Sequence, residues 1–191
     1  FGLNASVMQF VEEGRIKLYN VETLDMLSFY DDSMNTETKI HNYELYMQFL
    51  RNEMIPFTQK ECNTHRVATA GVSFGGFHAA NTAFRFPDMV SHLISMSGTF
   101  SIRNMAPLSV DMRIYFNCPE EFMPNEAGWK YHHMKIVLST SNWDICKPQN
   151  ERMAGILSAK GIPFWYDEKQ WIDHDWPLWK MVFPEYVGTY F

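Results

Sequence analysis

Apolar residues recur along the chain at two spacings, and the two alternate. Between residues 37 and 54, Ile40, Tyr43, Met47, Leu50 and Met54 fall three or four apart, one apolar face of a helix that Pro56 is expected to end. Residues 5–13 predict a shorter helix stopped by Gly14. Residues 15–22 (RIKLYNVE) alternate apolar and polar, which predicts a strand. Residues 66–72 (RVATAGV) predict a strand, 75–86 a helix of small residues stopped by Pro87, and 93–97 (LISMS) a buried strand. Two more strands are predicted at 135–140 (KIVLST) and 163–168 (PFWYDE). A helix over 149–160 separates them, and a last helix covers 176–183. Residues 25–38 are polar and irregular. Residues 99–133 form a lid-like excursion with short helical turns and three prolines. Strands alternating with helices predict an α/β fold, a mainly parallel sheet with helices on both faces, in a single domain spanning 1–191.

Composition narrows the class. With 46% hydrophobic and 20% charged residues, 191 residues can bury a real core. No run nears the roughly 18 consecutive apolar residues of a membrane span. A net charge of −6 with no Lys/Arg run argues against nucleic acid or an anionic membrane as partner. Cys62, Cys118 and Cys146 are an odd number with no close pair. A disulfide framework or zinc cluster is therefore not expected, and a reducing, cytoplasmic compartment is. The first ten residues, FGLNASVMQF, lack a basic region followed by an apolar one and do not read as a signal peptide.

One motif carries chemistry. Gly71-Val72-Ser73-Phe74-Gly75 matches G-x-S-x-G between a predicted strand and a predicted helix, the context of a nucleophile elbow. In so tight a turn, side chains two residues either side of the serine are expected to collide, hence a glycine at both places. Gly76, Ala79 and Ala80 would let the helix pack close to the strand. The Phe74 N–H, at the helix N-terminus, would face a developing oxyanion. A serine needs a base, and the base needs an orienting acid. His174 lies in the loop between the last strand and the last helix, and Asp144 in the loop after the 135–140 strand. His78 and His92 follow Ser73 too soon. His132 and His133 precede a strand, at the wrong end of a parallel sheet, and a metal role for that adjacent pair is disfavoured. Asp173 and Asp175 flank His174 too closely to orient it, Asp111 lies in the excursion, Asp167 inside a strand and Asp88 in a turn. Plain readings stand beside these: a Gly-rich turn at 71–75, an Asx turn or helix cap at Asp144, a capping or surface histidine at His174. Trp143, Trp171 and Trp176 cluster near the candidate residues. They read either as an apolar acyl or alcohol pocket or, the favoured reading, as rings packing loops and the last helix onto the core.

With these residues in hand, the chain resembles the α/β-hydrolase superfamily, and within it the esterase group that includes esterase D-like proteins. The resemblance is carried by AGVSFGGFHAANTAFRFPDMVSHLISMSG (70–98), TSNWDICKPQNERMAGILSAKGIPFWY (140–166) and HDWPLWKMVFP (174–184). It implies a Ser73, Asp144, His174 triad that hydrolyses carboxylic esters without cofactor or metal. Acyl transfer by the same triad is one alternative, and a non-catalytic binding protein on the same fold another. Fold and triad do not fix the substrate. It also implies strands upstream of 15–22 and a Gly-rich loop supplying a second oxyanion N–H. The chain does not carry them, so it is expected to enter the fold midway. A sheet edge left open would need cover, for instance in a homo-oligomer.

Overall fold

A computed structural model describes residues 2–106 and 110–191; residues 107–109 of the expected excursion lie outside the described residues. Four parallel strands stand in sequence order: β1 (Val67–Val72), β2 (Val90–Met96), β3 (Lys135–Trp143) and β4 (Trp165–Asp173). The helices are α1 (Met8–Glu12), α2 (Thr36–Phe49), α3 (Ile55–Cys62), α4 (Phe74–Arg85), α5 (Met112–Tyr115), α6 (Pro119–Phe122), α7 (Lys147–Ala159) and α8 (Trp176–Tyr190).

Strand alternation decides which face each residue supplies. Leu93, Ile136 and Leu138 point to one side, against Ala79, Ala80 and Ala83 of α4 and Met153 and Leu157 of α7. Ile94, Met96 and Val137 point to the other, against Leu178, Val182 and Tyr186 of α8 and Val7 and Phe10 near the N-terminus. Both faces are thus covered, as the order of elements predicts. A third cluster packs Ile40, Tyr43 and Met47 of α2 against Phe74 and Phe77 of α4.

Four expectations need correction. Residues 15–22 are not a strand. Their alternation reports one buried side, but a strand also needs a hydrogen-bonded neighbour. A cavity of about 580 Å³ lies between this segment and β1, lined by Ile16 and Leu18 on one side and Val67 and Ala70 on the other. Arg15 instead pins the segment to the end of α8, donating to the carbonyls of Phe191 and Gly188. Pro56 does not end the second helix. The chain widens into a π turn over Leu50–Met54, and α3 runs on with the proline in its first turn. The wider turn makes room for a ring that would otherwise meet the carbonyl four residues back. The helix stops at Asn63, which takes the left-handed conformation (φ 49°). The last helix likewise continues past residue 183, with Pro184 inside it. The last strand continues past 168 to Asp173, through a register shift against β3.

The stretch between β2 and β3 is anchored to the body. Phe100, Ile102, Ile114, Cys118, Phe122, Met123 and Tyr131 are all buried. A buried polar network adds to this. Asn117 Nδ2 donates to Glu44 and to the Arg113 carbonyl, and its Oδ1 accepts from Asn81 and Arg85. Arg85 pairs in turn with both oxygens of Glu44. Asn117→Ala leaves several of these groups unpaired away from water. It should cost about 3 kcal/mol, read as a lower urea midpoint with an unchanged m-value.

Candidate active site

The site residues are placed by strand ends. Ser73 follows β1, Asp144 follows β3 and His174 follows β4, so all three lie at the carboxyl edge of the sheet. Ser73 occupies a strained backbone conformation (φ 53°, ψ −122°), between a strand that it extends by donating its N–H to the Met96 carbonyl (2.8 Å) and the first turn of α4. Such a position costs of order 1–3 kcal/mol.

The turn rests on Gly71, as expected, and on Gly76, where close helix packing was expected, but not on Gly75. A Cβ on Gly71 would lie 2.1 Å from the Gly75 carbonyl oxygen. A Cβ on Gly76 would lie 2.9 Å from the Cα of Gly98, where α4 crosses the end of β2. At Gly75 a Cβ would meet nothing within 4 Å. The collision sequence reasoning placed at both ends of the motif exists at Gly71 only. At the other end, close helix packing falls on Gly76.

His174 Nδ1 lies 2.7 Å from Asp144 Oδ1, and its Nε2 lies 2.9 Å from Ser73 Oγ. The three side chains named from the sequence therefore form one hydrogen-bonded chain. Asp144 also accepts from the Cys146 N–H (2.7 Å), so the Asx turn and the contact with His174 coexist in one carboxylate. Trp179 of α8 meets the His174 ring edge to face at 5.1 Å and donates its indole N–H to Ser97 Oγ (2.9 Å). The Phe74 N–H opens α4 and, as the first helical residue, has no acceptor within the helix. The Phe74 ring is stacked at 5.0 Å by Tyr30 from the segment before α2.

Electrostatics polarise the chain of groups. Burial alone would raise the Asp144 pKa, but hydrogen bonds from His174 and the Cys146 N–H, with the Ser97 hydroxyl nearby, hold it below the ordinary carboxylate value. The His174 pKa is raised to about 9, first by its bond to Asp144 and next by the Cys146 thiol, against the opposing effect of burial. Its folded-state pKa is above the unfolded one. The stability this pair contributes is therefore full below about pH 6.5 and lost as pH rises through about 9.

The other candidates lie elsewhere. His78 is buried, with Nε2 2.7 Å from Asp25 and Nδ1 3.1 Å from the Tyr43 hydroxyl. His92 packs on Phe191, and His133 faces the Val90 carbonyl. Asp175 caps α8, and Asp167 accepts from Tyr186. The favoured reading of the tryptophans holds for Trp176, which packs on Trp179 beside the core. It fails for Trp143 and Trp171, which are 52% and 68% exposed and meet each other edge to face at 5.5 Å. Trp143 is the last residue of β3, and Trp171, in left-handed backbone (φ 64°), lies two residues before the end of β4. Ile145, two residues after Trp143, is also exposed. Sequence reasoning missed Cys146 and Trp179 as neighbours of His174. The only sequence signal for Cys146 was its place two residues after Asp144.

Comparison with known proteins gives the same architecture. The Esterase family model matches residues 12–189. A ferulic acid esterase superposes with a TM-score of 0.62 at 20% identity, over 76% of this chain and 61% of that one. S-formylglutathione hydrolase FrmB from Staphylococcus aureus gives 0.51 at 18% identity, over 63% and 49%. FphF, a fluorophosphonate-binding serine hydrolase from Staphylococcus aureus, gives 0.59 at 15% identity, over 89% and 68%. The chain thus spans less than two thirds of the first two structures. At these identities the likeness is one of fold, the α/β-hydrolase sheet in part. None of the curated proteins matches the sequence.

Proposed function

Since the chain belongs to the esterase family, we propose that it hydrolyses carboxylic esters through an acyl-enzyme on Ser73, with His174 as base and Asp144 as orienting acid. The observation that carries this reading is the continuous chain from Asp144 through His174 to Ser73, at 2.7 and 2.9 Å. Ser73 Oγ attacks the ester carbonyl while its proton passes to His174 Nε2. Asp144 holds the Nδ1–H tautomer and stabilises the imidazolium. The Phe74 N–H donates to the tetrahedral oxyanion. The imidazolium then protonates the leaving alcohol. Water, deprotonated by His174, releases the acid and restores Ser73.

The exposed apolar side chains of Trp143 and Ile145, on either side of Asp144 in the sequence, support esters with an apolar acyl or alcohol part. Among the described residues no helix is long and apolar enough to cross a membrane. The free thiols of Cys62, Cys118 and Cys146 support a reducing compartment such as the cytoplasm.

A pH profile tests the role of the base. His174 must be neutral to accept a proton, so kcat/KM for a 4-nitrophenyl ester should climb with pH and level off only near pH 9. A profile already flat from pH 6.5 would contradict the raised pKa, and one with no ascending limb at any lower pH would contradict the role itself. The same assay with an added alcohol separates hydrolysis from acyl transfer. Hydrolysis predicts free acid as the main product, whereas a new ester as main product would assign acyl transfer.

A further inference from the structure

The geometry points to a second use of this corner of the fold: Asp144, Cys146 and His174 form a binding site for a soft divalent cation, Zn²⁺ or Cd²⁺, that turns the base off. One ligand atom from each residue lies within 4.8 Å of the other two. A carboxylate, a thiolate and an imidazole, with a water as fourth ligand, are a donor set that tetrahedral zinc accepts. Ligands about 2.0–2.3 Å from one ion lie roughly 3.3–3.8 Å apart, so the trio needs only small shifts. The 2.7 Å contact between Asp144 and His174 must open by about half an ångström to admit the ion.

A second observation points to a cation independently of the cysteine. The Asp144 side chain is fully buried, and its Oδ2 has no hydrogen-bond partner. The Ser97 hydroxyl is near enough to influence the carboxylate but does not satisfy that oxygen in ordinary hydrogen-bond geometry. A buried carboxylate oxygen without a donor is uncommon, and a metal ion or an ordered water would complete it.

The ion meets the neutral imidazole. Cys146 Sγ gives its proton to solvent and binds as thiolate. His174 Nδ1 binds the ion in place of its proton, and that proton moves to Nε2. Three protein–metal bonds form, one proton is released and nothing is oxidised or reduced. An Nε2 that carries a proton cannot take one from Ser73. Binding is independent of the esterase reading, whereas the loss of turnover rests on it.

Cd²⁺ titrated into the intact chain reads the site directly, through the ultraviolet charge-transfer band of a cadmium thiolate and through equilibrium dialysis. One ion per chain should bind with that band, and Cys62→Ser should keep it. Cys146→Ser should lose the band and bind at least about tenfold more weakly. His174→Gln, which keeps the thiol, should weaken binding by a comparable factor. No saturable binding, no thiolate band, or a band that survives Cys146→Ser would overturn the site. Ester hydrolysis should fall with the same Cd²⁺ midpoint and return with EDTA. Full occupancy at an undiminished rate would overturn the switch. A chain that binds the ion but turns over no ester would contradict the esterase reading and leave the site standing.

Discussion

His174→Ala should lower kcat for a 4-nitrophenyl ester by about 10⁴- to 10⁶-fold, with the fold intact. The imidazole is the one group in contact with both other members of the chain, at 2.7 Å from Asp144 and 2.9 Å from Ser73. Without it the Ser73 hydroxyl has no acceptor for its proton. The side chain lies in a loop between β4 and α8, so circular dichroism should stay that of the folded chain, while the urea midpoint should fall because buried Asp144 loses its partner. Ser73→Ala should cost about as much, and the double substitution no more than either alone, because the residues act as a unit. Two effects that add would mean that they act separately.

The second large effect falls on stability. Gly71→Ala should destabilise the protein by about 4 kcal/mol or more, or prevent folding altogether. The new methyl would sit 2.1 Å from the Gly75 oxygen and 2.3 Å from its carbonyl carbon. Both are backbone atoms of the first turn of α4, so relief requires that helix to move as a body. Since α4 packs on β1 and β2 and carries Phe77, Ala80 and Ala83 in the core, movement there is felt throughout. Gly75→Ala is the matched control. Its methyl meets nothing within 4 Å, and the midpoint should stay within about 1 kcal/mol. Equal losses at the two positions would show that the turn is crowded at both ends, contrary to the open space beside Gly75.

The pair also shows what sequence could and could not convey. A G-x-S-x-G motif between strand and helix announces a tight elbow, because such a turn has few sequence solutions. Which glycine is essential depends on where Gly75, Gly76 and Gly98 lie in space, and no local pattern encodes that. The order serine, acid, histidine was legible because loops after parallel strands must converge on one edge. Residues 15–22 misled because alternation measures burial, not pairing, and a cavity stands where a neighbouring strand would be needed. Pro56 misled because a π turn gives the ring the room that an α-helix would deny it. Trp143 and Trp171 misled because large rings are usually buried, and nothing in the local pattern marks these two as exposed. Cys146 was invisible as a neighbour of His174, since their contact joins residues on two different loops.

If His174 activates Ser73 as a nucleophile, a fluorophosphonate should single out that serine from every other hydroxyl of the chain. Peptide mass spectrometry of the labelled chain should find a single adduct, on Ser73, formed rapidly by the unmodified protein and lost in His174→Ala. Folded protein that takes no label at Ser73, or labels equally well without His174, would contradict the account.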